Sequence, residues 1–544
     1  MVDVDVEHLP NDIEDAHRLI LELLTERNEQ KLSYQELYEN YVKLSQTHYG
    51  RSSEKLTSED LRQMRLFNEA EAGVQEEIGV LDARQAATVP VAQHARRKPG
   101  RKPIDERLPR EILTHDVSDE EKHCAACGKE RPLVNEEASE EVELIPAKVR
   151  VTRHLRRVYG ACTCEGFRSS GAPAMLRAPM PARLIAGSIA TPGLLAYVLT
   201  AKFADSLPFY RQERIFARLG VEISRATLCG WAIAVGKEIQ PLIDLMWERL
   251  LEAVLVQMDE TTLQVLHEPG RPASRLSYMW VNLAYLEDSE THNLKRLVLF
   301  HYHPSRSGDI PLEVLKDYSG YLQTDAYEGY NGIGALPRIR HGGCWSHARR
   351  MFIEASRITK KAGSAEVALS FITDIYRIET TLRAQLAKKI ISRDQFVEQR
   401  AALVRPILAR LRSWIEERIE RVPPKTTLGK ALHYTLAQWS RLERYLEAWF
   451  LTPDTNDVEN AIRPFVVGRK NFLFADTPRG AHASAAIYSL IESGKANGLE
   501  PYHYLKYLFT KLPTATTRED YQQLLPISLS PKNLLDLQPP DRPP

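Results

Sequence analysis

Three acidic residues have the type and the surroundings that divalent-metal chemistry requires. Asp259 follows the apolar run at residues 254–258, and Asp325 follows a similar run at residues 321–324. Both runs predict short buried strands, so each aspartate is expected at a strand end that faces a cleft. Glu459 lies in a segment with helical character. An aspartate that merely caps its strand is the simpler interpretation of either aspartate alone.

Together, the three acids are what a two-metal phosphoryl-transfer site requires. Hard divalent cations prefer oxygen ligands. Two such ions, roughly 3.5–4 Å apart, clamp the attacking and leaving oxygens of a phosphodiester. Glu459 also shares a helix face with Arg463, four residues later, and an arginine suits contact with phosphate. The pattern therefore predicts metal-dependent chemistry on a phosphodiester.

Three longer motifs resemble the DDE transposases of bacterial insertion sequences, in particular the C-type transposases of the insertion-sequence-sixty-six family. The motifs are QTDAYEGY at residues 323–330, CWSHARR at residues 344–350 and NAIRP at residues 460–464. The likeness extends from Leu9 to about Pro513, which is almost the whole chain.

The resemblance implies a ribonuclease-H-like α/β catalytic domain, in which the first and fourth strands are neighbours. It makes Asp259, Asp325 and Glu459 the catalytic acids, with two Mg²⁺ ions as cofactors and Mn²⁺ as an alternative. The expected reaction is hydrolysis at transposon ends, followed by attack of the new 3′-hydroxyls on target DNA. A catalytically inactive DNA-binding regulator and a structure-specific nuclease of the same fold are the alternatives. Acids at all three positions argue against the inactive regulator.

Composition places the chain among large soluble proteins. Hydrophobic residues make up 43% of the 544 residues and charged residues 26%, and the formal net charge is zero. No apolar run approaches the roughly 20 residues of a membrane span, and the acidic N-terminus lacks a signal-peptide pattern. We therefore expect a cytoplasmic, nucleoid-associated protein without a membrane partner. Its charge is segregated: residues 94–110 carry seven basic and two acidic side chains, which suits binding to double-stranded DNA.

Length and pattern predict a multidomain α+β protein. From the N-terminus we expect a coiled-coil segment, a linker with a basic stretch, a small zinc-binding β unit and a helical helix-turn-helix domain. A two-part catalytic domain interrupted by an all-helical insertion follows, and then a C-terminal helical module. From Leu525 on, the proline-rich tail is expected to be disordered. The expected coiled coil comprises residues 1–49, the linker 50–110, the zinc-binding unit 111–180 and the helix-turn-helix domain 181–250. The expected catalytic domain comprises residues 251–345 and 455–495, the insertion 346–454, and the C-terminal module with its tail 496–544.

The N-terminal segment carries broken heptads between residues 13 and 44. A helix that packs on its own chain explains such a short and interrupted seam. The resemblance favours a dimerising zipper instead, and with it a homodimer or a higher oligomer. Elements of this family typically encode other reading frames, so companion proteins from the same element are further candidate partners.

A basic stretch, RRKPGRKP at residues 96–103, has the form of an AT-hook. An extended arm of arginine and lysine enters the narrow minor groove over A·T tracts, where negative potential is concentrated. The expected DNA contacts are Arg97, Arg101 and Lys102. A solvated basic linker is the alternative, and it would add non-specific affinity for phosphate.

Four cysteines predict a structural zinc site. Cys124 and Cys127 form a CxxC knuckle, and Cys162 and Cys164 follow after segments that alternate like strands. Thiolates with this arrangement suit a closed tetrahedral Zn²⁺ site. The family that the chain resembles usually has two CxxC pairs. Because the second pair here is CxC, His123 is an alternative ligand in place of Cys162 or Cys164. Reduced cysteines without metal are the remaining alternative.

A helix pair in the predicted DNA-binding domain has helix-turn-helix spacing. Residues 208–219 predict one helix, residues 220–223 a tight turn, and Ser224 the N-cap of a second helix. Arg225 and Thr227 on that second helix are expected to contact DNA, since the family's end-recognition region lies here. A helix pair that packs without DNA is the alternative. Further side chains expected to contact DNA are Arg306, His347, Arg350, Arg463 and Lys470.

Overall fold

The computed structural model describes residues 149–159, 176–289, 291–358 and 363–536, and helical positions at residues 17, 18, 21, 34, 37 and 38. The AT-hook-like stretch, the four predicted zinc ligands and most of the predicted coiled coil lie outside the described residues. The chain divides into two compact units, residues 80–153 and the remainder. The elements that follow belong to the larger unit.

The first described elements form a short ribbon and a helical region. Strand β1 (Val158–Tyr159) pairs with β2 (Leu176–Arg177). The helices that follow are α1 (Pro192–Phe203), α2 (Phe209–Arg218), α3 (Arg225–Glu238) and α4 (Gln240–Leu250).

A five-stranded sheet with short connecting helices comes next. Its elements, in chain order, are β3 (Leu255–Gln264), β4 (Leu276–Glu287), β5 (Leu294–His303), α5 (Asp309–Val314), β6 (Gly320–Gln323), a 3₁₀ turn (Glu328–Tyr330), α6 (Asn331–Gly334) and β7 (Ile339–Gly342).

Helices make up the rest of the described chain, with no further strand in it. They are α7 (Trp345–Ile358), α8 (Ser364–Ala387), α9 (Arg393–Ile419), α10 (Thr427–Ala437), α11 (Trp439–Glu443), a 3₁₀ turn (Arg444–Glu447), α12 (Asn456–Phe472), α13 (Pro478–Ala496), α14 (Pro501–Lys511), a 3₁₀ turn (Leu512–Thr514), α15 (Arg518–Leu524) and α16 (Pro531–Asp536).

The sheet is mixed, with the strand order β5-β4-β3-β6-β7. The pairs β5–β4 and β4–β3 are antiparallel, whereas β3–β6 and β6–β7 are parallel. Its first and fourth strands, β3 and β6, are therefore neighbours, as expected. The apolar residues of β3, β4 and β5 are almost all buried and form the centre of the core.

The prediction that Asp259 ends its strand is wrong. Strand β3 continues to Gln264, and Asp259 lies inside it, paired in register with Val281 of β4. The antiparallel pairing with β4 extends along all of β3, whereas the parallel pairing with β6 stops at Gln257. Strand β3 therefore has no parallel neighbour at Asp259, and its edge on the β6 side is unpaired there.

Helix α13 covers the edge strand β5. The hydroxyl of Ser493 accepts a hydrogen bond from the N–H of Val298, and the hydroxyl of Ser489 accepts one from the N–H of Phe300, both at 2.8 Å. These bonds satisfy backbone groups that an edge strand would otherwise expose. The side chains of a helix thereby replace a sixth strand.

The helices between β7 and α12 are tied to the segment that leads into α12. Arg400 on α9 is fully buried and donates to the carbonyls of Leu451 (3.0 Å) and Ala448 (2.7 Å). It also pairs with Glu379 of α8 at 3.4 Å. A buried cation held this way fixes the chain that approaches Glu459.

The helix pair α2 and α3 confirms the predicted helices and the predicted cap. Ser224 accepts a hydrogen bond from the N–H of Thr227 at 3.2 Å, as an N-cap does. Gly220, in the turn between the two helices, has φ = +82°, a conformation that favours glycine.

The prediction that the chain is disordered from Leu525 on is wrong for the residues up to Asp536. Leu525, Leu529 and Leu534 are buried against the core, and α16 runs to Asp536. The proline content of the tail suggested disorder, but the leucines between the prolines are spaced to pack on the helical module. In the part of the chain that the structure describes, no helix is long and apolar enough to span a membrane.

Candidate functional site

The parallel register of β3 and β6 brings Asp259 and Asp325 to matching positions. Gln257 on β3 pairs in register with Gln323 on β6, and Nε2 of Gln257 donates to Oε1 of Gln323 at 2.9 Å. Each aspartate follows its glutamine by two residues. Because side chains alternate along a strand, Asp259 lies on the same face as Gln257. The charge of Asp325 is close enough to raise the pKa of Asp259.

The same two glutamines position Glu459. Oε1 of Gln257 accepts from the N–H of Val458 at 3.2 Å, and Nε2 of Gln323 donates to the carbonyl of Thr452 at 2.7 Å. These bonds hold the start of α12 against the two strands, and Glu459 follows in its first turn, 5% exposed. Both glutamines are missing from the predicted site residues. The repeated pattern Gln-x-Asp in two otherwise apolar runs is the signal that identifies them.

Asp259 lies in a strongly acidic environment. Burial raises the pKa of its carboxyl well above the usual value, and the charges of Glu260, Glu459 and Asp325 raise that pKa further. The N–H of Glu260, which donates to Oδ1 of Asp259 at 2.8 Å, opposes the shift. Like charges gathered in a shielded place favour either protonation or a bound cation.

Helix α7 supplies two basic side chains that flank Glu459. Nδ1 of His347 lies 3.8 Å from Oε1 of Glu459, and Nη2 of Arg350 lies 4.0 Å from Oε2. Burial raises the pKa of Glu459, whereas His347 and Arg350 lower it. The side chains of His347 and Arg350 are only 22% and 24% exposed. Both were predicted to contact DNA, and the structure puts them beside the third acid.

Cys344 completes the surroundings of Glu459. Its Sγ accepts hydrogen bonds from the backbone N–H (3.4 Å) and the hydroxyl (3.2 Å) of Thr455, the residue before α12. Burial raises the pKa of this thiol to about 12. Cys344 is buried, and the segment from Cys344 to His347 leads from just after β7 into the first turn of α7.

A fourth acid, Glu260, was not predicted. Its carboxylate is bound by the guanidinium of Arg306, with Nε at 2.7 Å, and by the hydroxyl of Tyr330. The guanidinium also lies 3.8 Å from the ring centre of Tyr327, whose N–H donates to Oδ1 of Asp325 at 2.9 Å. Arg306, predicted to touch phosphate, is thus held next to the acidic centre by a side chain of opposite charge.

The other predicted DNA contacts lie on separate elements or outside the described residues. Arg225 and Thr227 are exposed in the first turn of α3. Arg463 and Lys470 are partly buried on α12, the helix that carries Glu459. Outside the described residues are Arg97, Arg101, Lys102, Cys124, Cys127, Cys162 and Cys164.

Four family models match the chain. The model described as "Transposase IS66 family" matches residues 187–483, and "IS66 C-terminal element" matches residues 489–527. "Transposase C of IS166 homeodomain" matches residues 36–112, so it overlaps the predicted coiled coil only at its end. "Zinc-finger binding domain of transposase IS66" matches residues 121–165, a range that contains the four predicted cysteine ligands and supports a structural zinc.

Relatives in Sinorhizobium fredii (strain NBRC 101917 / NGR234) match over nearly their full length. The chain is 30% identical over 507 residues to uncharacterized protein y4qI, covering 90% of this chain and 88% of that protein. It is 29% identical over 540 residues to uncharacterized protein y4jD, covering 96% and 97%. It is 25% identical over 498 residues to uncharacterized protein y4hP, covering 87% and 85%.

Proposed function

Because the chain belongs to the IS66 transposase family, we propose that it is a DDE-type DNA transposase with Asp259, Asp325 and Glu459 as its catalytic acids. One observation carries the proposal. Asp259 on β3, Asp325 just after the parallel strand β6 and Glu459 on α12 lie close together, and burial together with the neighbouring acids raises the pKa of Asp259. Packing alone does not favour such a cluster, since removing like charges from water is unfavourable without compensation.

The donor set fits Mg²⁺ or Mn²⁺. All three proposed ligands are carboxylates, the oxygen donors that hard cations prefer. Glu459 is 5% exposed, and burial raises the pKa of its carboxyl, so a nearby cation would compensate for the burial of its charge. When bound, a pair of such ions activates water and neutralises charge that develops on the reacting phosphate.

The sheet supports a ribonuclease-H-like catalytic domain. Its first and fourth strands, β3 and β6, are neighbours, as in the fold that the family resemblance implies. In this proposal the helices from α7 to α11 are an insertion between the second and third catalytic acids. The buried contacts of Arg400 with the segment before α12 explain how Glu459 keeps its position next to the strands despite an insertion of that length.

We infer two successive reactions at double-stranded DNA. In the first, water attacks the scissile phosphorus and the bond to the 3′ oxygen breaks, which leaves a 3′-hydroxyl on the transposon end. In the second, this hydroxyl attacks a phosphorus of target DNA, and the 3′ oxygen of the target strand leaves. No covalent protein intermediate is required, because water and DNA are the nucleophiles.

Separate elements would bind the DNA. We propose that the exposed first turn of α3, with Arg225 and Thr227, contacts the transposon end, and that Arg97, Arg101 and Lys102 enter the minor groove. Arg306, Arg350, Arg463 and Lys470 lie on the elements around the acidic centre and would contact phosphates there. A homodimer or higher oligomer, joined through the N-terminal helix, would bring two ends together.

The test is cleavage of a labelled duplex that carries the element's terminal sequence, with full-length protein and Mg²⁺. We expect Asp259→Asn, Asp325→Asn and Glu459→Gln each to reduce cleavage at least about 100-fold while end binding persists. Double variants should be hardly worse than single ones, because the acids act as a unit.

A matched control is available two residues from Glu459. Asp457 lies on the same helix, but its carboxylate accepts from the hydroxyl of Tyr285 and lies 3.7 Å from Arg296. Asp457→Asn should therefore leave cleavage within a few-fold of wild type. Normal cleavage by all three acid variants would refute the proposal. If Asp457→Asn lost as much cleavage as the three acid variants, the test would not single out Asp259, Asp325 and Glu459 as the catalytic acids.

A further inference from the structure

A second kind of metal site is formed by Cys344, His347 and Glu459. One potential ligand atom from each residue lies within 4.8 Å of the others. The residues come from the end of the β7 segment, the first turn of α7 and the first turn of α12. A sulfur, an imidazole nitrogen and a carboxylate oxygen thus converge from two helices that are far apart in the chain.

Two of the three potential ligand atoms lack a hydrogen-bond partner within the described part of the chain. Nδ1 of His347 and Oε1 of Glu459 are shielded from solvent, and neither has a hydrogen bond there. Leaving buried polar atoms without a partner is unfavourable, and a bound cation would remove that cost. The two atoms are 3.8 Å apart. Ligands bound at about 2.0–2.2 Å in a tetrahedral zinc site are about 3.3–3.6 Å apart, so a shift of a few tenths of an ångström suffices.

Two hydrogen-bond donors point at the third potential ligand atom, Sγ of Cys344. Sγ of Cys344 receives hydrogen bonds from the backbone N–H and the hydroxyl of Thr455 at 3.4 and 3.2 Å. Donors that point at a sulfur orient it and favour its thiolate form, so these two bonds oppose the effect of burial on the thiol. A thiolate with an imidazole selects Zn²⁺ over Mg²⁺, because Mg²⁺ prefers oxygen ligands.

We propose that Cys344 Sγ, His347 Nδ1 and Glu459 Oε1 bind one zinc-class divalent cation, with a fourth position open to water. This site is distinct from the zinc finger at residues 121–165 and from the proposed magnesium site, although it shares Glu459 with the latter. The cation would tie α7 to α12 and fix the orientation of the Glu459 carboxylate.

The zinc content of full-length protein, measured by elemental analysis after dialysis, tests the site. We expect Cys344→Ser and His347→Ala each to contain about one zinc fewer per chain than wild type. With Co²⁺ in place of Zn²⁺, Cys344→Ser should also lose part of the thiolate-to-cobalt charge-transfer absorption. Cys229→Ser removes an exposed cysteine on α3 and should keep the wild-type zinc content.

The outcome is separable from that of the proposed transposase reaction. Asp259→Asn should abolish cleavage and retain all the zinc, because Asp259 is not a ligand in this site. Wild-type zinc content in folded Cys344→Ser and folded His347→Ala would overturn the proposal. If Cys344→Ser does not fold, His347→Ala decides, since its partly exposed position on a helix tolerates alanine.

Discussion

Two acidic side chains, one within strand β3 and one shortly after it, have opposite electrostatics. Glu268, which follows β3, is 8% exposed and accepts hydrogen bonds from Ser277, Tyr302 and Arg271. Burial raises its pKa, but these donors more than offset the effect and leave the pKa below the usual value. Around Asp259, in contrast, burial and three neighbouring acids all raise the pKa.

We interpret Glu268 as an acid that stabilises the fold and the acids around Asp259 as the proposed metal ligands. A structural carboxylate is surrounded by donors that compensate for its burial. The carboxyl of Asp259 has mainly other acids as charged neighbours, so a cation bound at the proposed metal site would supply the compensating charge. The two regions should therefore respond oppositely to neutral substitutions, to pH and to added divalent cations.

Neutralising the structural acid should have the largest effect on stability. Glu268→Gln leaves the guanidinium of Arg271, 16% exposed, without its charged partner. Breaking a partly buried pair on one side is expected to cost about 2–4 kcal/mol of unfolding free energy. Denaturant unfolding, followed by a spectroscopic signal from the sheet domain, measures the loss. Glu313→Gln, an exposed acid on α5, is the control and should stay within about 0.5 kcal/mol of wild type.

Neutralising a central acid should have a smaller effect of opposite sign. In magnesium-free buffer, Asp259→Asn is expected to stabilise the protein by about 1 kcal/mol at pH 7, because it removes repulsion among buried acids. A loss of stability equal to that of Glu268→Gln would mean that Asp259 is a structural acid as well.

The pH dependence follows from the directions of the shifts. Since the pKa of Asp259 is raised in the folded protein, its favourable contribution is present below the unfolded pKa and is lost as pH rises through the folded value. The pKa of Glu268 is lowered, so its contribution is present above the unfolded pKa and is lost as pH falls through the folded value. Between pH 4 and pH 7, Asp259→Asn should therefore lose less stability than wild type as pH rises.

Much of this centre was predictable from local pattern. Asp259 and Asp325 stood out because each follows an apolar run, and Glu459 because it lies in a helical segment. The family resemblance implied the neighbouring positions of β3 and β6. The extent of β3 was not predictable, because polar residues beyond Asp259 resemble a strand end until the pairing with β4 is known.

The supporting residues depend on contacts between distant parts of the chain. Gln257 and Gln323 bond to each other and to segments 201 and 129 residues away, which no local window contains. Glu260 follows Asp259 directly, and only the fold shows that Arg306 and Tyr330 bind it. The environment of His347 and Arg350 likewise depends on how α7 packs next to α12, so their proximity to Glu459 was missed.

The most direct test of the acidic centre is the thermal midpoint of full-length protein during a Mg²⁺ titration. Wild type and Glu268→Gln should both be stabilised, by about 1.4 kcal/mol when Mg²⁺ is ten times its Kd. Asp325→Asn should lose most of this response, because it removes a proposed ligand. An equal Mg²⁺ response in Asp325→Asn and wild type, or none in wild type, would contradict a divalent-metal site at Asp259, Asp325 and Glu459.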